Sequence, residues 1–408
     1  MNFKNKSKNI LLRNRFNTFL DNHRNISDAI DRVFKFIQKY QISVHKSLED
    51  YQIHQIKQRR LFLVTLLRAI TLLTCIRYSI SALIRTKWMF ALMSDANYLM
   101  GNQMLTSLVL SIACFTIFCI GSIVQFKEMS KTNELFQFMY DFKHKRIIPL
   151  NDKHSKRLTL IVNLMARYLM EQAFWPLVLA TWGIIGMTTV IEYINEQFYL
   201  ISILIWNLLF LGSLIQFYGI VWIGLVVSVL ITLYLKYKFR EINDLIEFSL
   251  KVDNKSLLWR AIAEHNYICV KTSQLNDFFS HMVFQLYYIA SPALILLLYL
   301  SHAKDGQLFG KLLAAVVFSL VFSVVISANL LYAQISGSSR RPRNTIYRHM
   351  IHKQLSPKER LKLSAFIEKL DGPDIGIYCW NLFPMNNYEF YLYVANCTST
   401  YFLILGFI

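Results

Sequence analysis

The stretch that decides the fold runs from Ile205 to Leu235, IWNLLFLGSLIQFYGIVWIGLVVSVLITLYL, and is followed at once by KYKFR at 236–240. No residue in it is charged, and it exceeds the roughly 20 apolar residues that cross a hydrocarbon core of ~30 Å. It reads as a membrane span that ends against a basic edge. Six further apolar runs of spanning length lie at 61–84, 101–125, 170–192, 278–301, 309–334 and 390–408. Thirteen Lys or Arg residues precede the first run; the successive gaps then hold two, nine, none, seven, one and nine. Basic gaps stay on the cytoplasmic side, so this alternation places the N-terminus inside and the C-terminus outside. The expected fold is an all-α integral membrane protein with seven transmembrane helices and cytoplasmic anchor helices. Seven spans with an internal N-terminus is the reverse of a G-protein-coupled receptor.

Composition agrees. Apolar residues make up 54% of the 408 positions, and mean hydropathy is +0.34. The net charge of +19 lies in the gaps that face the anionic inner leaflet, so membrane lipid is the expected partner and nucleic acid is not. The first sixty residues are polar and basic, so the first span itself is expected to direct insertion. None of the six cysteines falls in an outside loop, and no structural disulfide is expected.

The outer gaps 86–100, 193–204 and 302–308 are short, leaving no outer domain to capture a protein hormone. The mass outside the bilayer is cytoplasmic. In 28–44, Ile30, Val33, Phe34 and Ile37 share one helical face. After the sixth run, Ser356, Pro357 and Glu359 form a capping-box signature. Leu363, Phe366, Ile367 and Leu370 make that helix's buried stripe, and Gly372 and Pro373 end it. The regions are therefore 1–60, a cytoplasmic N-terminal part; 61–334, a six-helix bundle; 335–389, a cytoplasmic anchor; and 390–408, the seventh span.

Catalytic signatures are missing: no HExxH, CxxC, GxGxxG or P-loop occurs. No enzyme activity and no cofactor is expected. His349 and His352 sit among arginines and read as a solvated basic loop rather than a metal site. His281 and Gln285, one turn apart in the fifth run, suggest an interhelical hydrogen bond. Arg68 and Arg77 lie on opposite faces of the first span, each costing about 2.5–3.5 kcal/mol if central, and must snorkel or face protein. Arg167 and Glu171 most simply pair with each other. No repeated halves and no midplane acids support a secondary transporter.

The last span has a polar inner half with Asn396, Thr398, Ser399, Thr400 and Tyr401, and an apolar outer half. As a helix it aligns Asn396, Ser399 or Thr400, Leu403 and Phe407. Around a symmetry axis that face would line a pore closed outside by Leu403 and Phe407. Ordinary close packing of small hydroxyl residues is the alternative.

The C-terminal Thr400-Tyr401, five further residues and Phe407 resemble the Thr-Tyr, five apolar residues, Gln-Phe signature of insect gustatory receptors. Leu382-Phe383-Pro384 looks like the segment before the last helix in gustatory and odorant receptors. The motif covers the last few dozen residues, while span number, orientation and short outer loops fit along the whole chain. Thr400 and Tyr401 match directly. Without a gap the family's Gln falls on Phe407, and Asn381 stands where a Gly is common. The resemblance implies a tetrameric, homomeric or heteromeric, ligand-gated cation channel in the plasma membrane of sensory cells, with the last helix of each subunit lining one pore. It also implies a small-molecule tastant site in the outer half of the bundle, where Trp182, Thr188, Thr189, Trp206, Asn207, Phe318 and Phe322 are candidates. An odorant receptor subunit of the same superfamily is the near alternative.

Overall fold

The computed structural model describes residues 26–54, 56–84, 103–144, 146–171, 197–302, 308–372, 375–380 and 382–407. The described residues are helical almost throughout. Five of its helical stretches among the described residues are long and apolar enough to cross a membrane: 58–83, 104–129, 208–252, 255–302 and 314–352. The seventh run becomes a terminal helix at 387–407. Of the third run, only 170–171 lies within the described residues.

Among the described residues the N-terminal part begins with α1 (Ile26–Lys39) and α2 (Leu48–Ile53). The face expected from spacing is the buried one: Ile30, Val33, Phe34 and Ile37 are 0–4% exposed. The first two spans are α3 (Gln58–Leu83) and α4 (Gln103–Met129), which pack closely on each other. After α4 the chain turns into α5 (Glu134–Lys143), then α6 (Asp152–Glu171), which enters the third run. Phe136 of α5 receives Phe34 and Tyr51 edge-on, each at 5.6 Å between ring centroids. Lys143 closes this unit by reaching Asp31 at 2.7 Å and Glu49 at 2.8 Å. The Tyr51 hydroxyl is exchanged with the backbone of Asn133, accepting from its N–H at 3.0 Å and donating to its carbonyl at 3.2 Å. Burial holds that phenol's pKa up at about 12, so it remains a donor.

Between α1 and α2 the chain dips against the inner ends of the spans. Glu128, in the last turn of α4, is fully buried there with Ser43 and His45. Its Oε1 accepts the His45 backbone N–H at 3.0 Å, the Ser43 hydroxyl, and a hydrogen bond with His45 Nδ1 at 2.7 Å. Arg60 donates to the His45 carbonyl at 3.1 Å. Close approach requires Gly219: a Cβ there would lie 2.6 Å from Ile42 Cδ1 and 2.7 Å from Tyr40 Cβ.

The fourth run extends at both ends. It forms one helix, α7 (Gln197–Val252), of 56 residues, roughly 84 Å long at ~1.5 Å per residue. Its charged end, 236–252, is a gap by hydropathy yet continues as helix, because Lys, Arg and Glu are good helix formers once the apolar stripe of Phe239, Ile242 and Ile246 is buried. A short turn at Asp253–Asn254 leads into α8 (Lys255–Phe284), a π turn at Gln285–Ile289, and α9 (Ala290–His302), which together make the fifth span and its cytoplasmic extension.

The sixth span is α10 (Leu308–Arg340). The basic stretch after it is a helix, α11 (Pro342–His352), not the loop expected from its arginines. Pro342 occupies the first turn, where its missing N–H costs nothing, and the Arg343 guanidinium pairs with Asp371. The next helix, α12 (Pro357–Asp371), has the full capping box on Ser356 and Glu359, and Leu363, Phe366 and Leu370 are buried. Ser356→Ala is expected to lower stability by about 1 kcal/mol, read as a lower melting temperature of the purified protein. A two-residue antiparallel ribbon, β1 (Tyr378–Cys379) and β2 (Phe383–Pro384), leads into the final helix α13 (Asn387–Phe407). The six cysteines are free thiols.

Candidate functional site

The final helix is held along one side only. Phe390 and Tyr393 are buried, and Val394 and Cys397 pack half-buried on the core, against α9 and α10. Asn396, Ser399 and Thr400 are exposed, and so is Leu403, at 61%. The structure therefore aligns these four predicted pore residues on a surface the single chain leaves uncovered. The exposed arc is wider than that row, taking in Tyr391 and Phe402. Thr398 and Thr400 donate their hydroxyls to the carbonyls of Val394 and Asn396, each at 2.8 Å, which satisfies them within their own helix. Tyr401 turns the other way, half-buried, with its ring 6.4 Å from His302 at the end of α9. The Phe407 backbone is helical; its side chain lies outside the described residues.

The predicted ligand residues fall into separate groups. Trp182, Thr188 and Thr189 lie outside the described residues, as does the Asn207 side chain. Trp206 meets Arg77, whose guanidinium stands 5.1 Å from the indole centroid and 5.0 Å from that of Tyr78. Phe318 and Phe322 of α10 stack on one another at 5.2 Å and 15°. Both intramembrane arginines face protein: Arg68 is 4% and Arg77 2% exposed. Arg68 is met by the side-chain oxygen of Gln216 in α7. Sequence reading missed Arg77 as the partner of Trp206; a cation beside Tyr78 in an otherwise apolar run was the available signal. The Glu171 side chain, the expected partner of Arg167, lies outside the described residues.

The segment before the final helix is seated on the fifth span. The Tyr378 N–H donates to Asn276 Oδ1 at 2.7 Å, and the Trp380 N–H to the Ser280 carbonyl at 3.1 Å. The Trp380 ring lies edge-on to Phe284 at 4.8 Å, and the His281 ring lies 6.2 Å from it. Trp380 has φ of 52°, a left-handed conformation that a bulky residue rarely adopts. The residue expected to tolerate that conformation, Asn381, lies outside the described residues. Above the ribbon, Tyr287 in the π turn packs on Tyr393 with ring centroids 4.2 Å apart, and Ser291 meets the Tyr393 hydroxyl at 2.8 Å.

Among the described residues no group of three metal-ligating side chains converges. No protein-family model matches the sequence, and no curated protein matches it. Solved structures do. One is the insect olfactory receptor OR5 from Machilis hrabei in complex with eugenol, with a TM-score of 0.63 at 12% identity, covering 93% of this chain and 98% of that one. Another structure of the same receptor gives a TM-score of 0.59 at 11% identity, covering 93% and 100%. Along nearly its whole length the chain thus has the helical membrane fold of an insect olfactory receptor.

Proposed function

We propose that this protein is a chemoreceptor of the insect gustatory type, acting as a ligand-gated, non-selective cation channel in the plasma membrane of sensory cells. The observation that carries the reading is the final helix. It is packed on one side, and Asn396, Ser399, Thr400 and Leu403 are open on the other. An end-to-end fold shared with an insect olfactory receptor supports it. Four copies around an axis would bring these rows together as a hydrated vestibule under an apolar constriction. A small, weakly polar tastant bound in the outer half of the bundle, near Trp206 or the Phe318–Phe322 pair, would favour the open arrangement by binding it more tightly. The anchor of 335–389 and the cytoplasmic parts of α7 and α8 would hold the subunits. An odorant receptor subunit is the second reading, favoured by the olfactory identity of the structural neighbours; Thr400-Tyr401 favours the gustatory one.

Whole-cell recording from cells expressing this chain, perfused with tastants and odorants, tests the channel. Ligand-evoked current that persists with G-protein signalling blocked supports it. Saturable uptake without single-channel events would instead indicate a transporter, and an external N-terminal tag a G-protein-coupled receptor. Leu403→Ala and Phe407→Ala are each expected to raise the ligand-free open-to-closed ratio, read as leak current, about thirtyfold, since each removes ~2 kcal/mol of apolar contact from the closed constriction. Unchanged leak at normal surface expression would refute the gate.

A further inference from the structure

The fifth span and the final helix are joined by a ladder of contacts that runs past a break in helical geometry. Asn276, Ser280, Phe284, Tyr287 and Ser291 recur at intervals of three or four residues on one side of the fifth span. Each meets the ribbon or the final helix: Asn276 and Ser280 hold the backbone N–H groups of Tyr378 and Trp380, Phe284 holds the Trp380 ring, and Tyr287 and Ser291 hold Tyr393. Tyr287 also meets Phe383 at 6.0 Å. The break, the π turn Gln285–Ile289, falls between the lower contacts and the upper ones.

A π turn widens the helix by one residue, so its carbonyls do not all find the usual partner four residues on. Ser291 stands just above the turn and bonds back to it. Its hydroxyl is bonded to the Tyr287 carbonyl and lies 3.3 Å from that of Leu286. A serine hydroxyl has one proton, and a carbonyl can only accept it. The Ser291 proton is therefore committed to the turn, and Tyr393 must be the donor in the 2.8 Å contact with Ser291. The final helix thereby hydrogen-bonds, through one hydroxyl, to the backbone of the π turn. Tyr393 and Ser291 are both buried and stand 102 positions apart in the chain, so the link is tertiary.

We infer that Tyr393 is a positioning residue for gating, through which the π turn at Gln285–Ile289 sets the place of the final helix relative to the fifth span. This deepens the channel reading and rests on it. Below the turn, α8 is packed in the cytoplasmic part of the protein; above it, α9 belongs to the outer half of the bundle. A ligand that shifts α9 against α8 would deform the widened turn first, and the Tyr393–Ser291–Tyr287 relay would carry that deformation to the helix bearing Asn396 and Leu403.

The test uses Tyr393→Phe, which keeps the ring packed against Tyr287 and removes the hydroxyl that meets Ser291 and, within its own helix, Cys397, together with Ser291→Ala and Ser291→Thr. Removing one net hydrogen bond from a two-state equilibrium changes it about 3- to 10-fold. We expect Tyr393→Phe and Ser291→Ala each to shift the half-maximal ligand concentration by that factor. The double variant should behave like either single one, and Ser291→Thr, which retains the hydroxyl, should recover wild-type gating. Ion permeability ratios and surface expression should not move. Hydrogen–deuterium exchange of the purified full-length protein gives a second readout that needs no current: exchange at 285–291 should rise in Tyr393→Phe. Additive shifts in the double variant, or unaltered exchange in Tyr393→Phe, would overturn the inference. Absence of ligand-evoked current in the wild type would overturn the channel reading and the gating role with it, while exchange alone would still decide whether the hydroxyl link exists.

Discussion

Glu128→Ala is expected to destabilise the protein by about 3–5 kcal/mol, the usual cost of removing one member of a buried, hydrogen-bonded pair. The carboxylate stands in the last turn of α4, where the helix dipole disfavours an acid. Its position is explained only by what it holds. Ser43, the His45 N–H and the His45 ring all converge on its Oε1, and Ser43, His45 and Glu128 each have 0% exposure. With alanine there, the His45 ring loses its partner in a site that water does not reach, and the Ser43 hydroxyl and His45 N–H keep only their contacts within the loop, to the His45 carbonyl at 3.2 Å and to Ser43 Oγ at 3.1 Å. Since this loop connects α1 to the inner ends of the spans, the whole N-terminal unit should loosen. Glu128→Gln keeps one acceptor oxygen and should fall between the two. Melting of the detergent-solubilised protein, followed by fluorescence-detected size exclusion, is the direct measurement. A Glu128→Ala protein that melts with the wild type would refute this account of the loop.

Acid should weaken the cytoplasmic anchor through His265. The imidazole lies between Phe239 at 5.2 Å and Phe366 at 5.1 Å, and both its nitrogens are engaged. Nε2 is 2.9 Å from the Ser339 carbonyl and must donate to it; Nδ1 is 3.4 Å from Cys269 Sγ and is left to accept. Burial holds the Cys269 thiol up at about 11, so it keeps its proton for that bond. The site is complete with neutral histidine. Burial first, and Lys369 to a smaller extent, push the His265 pKa down to about 4 from its ordinary 6.5, against the pull of the Ser339 carbonyl. The unfolded chain therefore binds a proton that the folded one refuses. Stability is complete above about pH 6.5, falls as pH drops from there, and levels off below about 4; the total loss is about 3 kcal/mol at ~1.4 kcal/mol per pKa unit. The check is the melting temperature between pH 7.5 and 4.5 for wild type and His265→Gln. The variant lacks the titrating group, so it should show a shallower decline. Identical slopes would show that His265 contributes nothing to it.

The sequence disclosed those features whose causes are local. Runs of apolar residues located the spans, and Ser356-Pro357 with Glu359 located a helix start to the residue. Hydropathy marks where solvent begins rather than where a helix stops, which is why α7 and α8 continue far past the expected spans. The arginines of 340–348 suggested solvated coil, but Pro342 in a first turn, Arg343 on Asp371 and buried Ile346 make them helical. Along the final helix the row Asn396, Ser399, Thr400 and Leu403 was legible because it depends on spacing alone. Its attachment was not. Tyr393, Ser291 and the π turn are joined across about a quarter of the chain, and nothing in Gln285-Leu-Tyr-Tyr-Ile289 departs from an ordinary helical composition.

The fourth span and its inward extension are a single shaft of 56 residues without a joint, while the fifth, packed beside it, has one at Gln285–Ile289. Two rods of unequal compliance clamped side by side do not share a bend equally: the stiff one sets the path and the jointed one takes the strain. A torque applied to the end of the anchor, by an antibody fragment or a fused domain gripping it, would be carried along the unbroken shaft and released preferentially at the joint of the other. The end of the bundle away from the membrane is accordingly a handle on the membrane half, and on the channel function proposed above a binder raised against it would change gating without touching the bilayer.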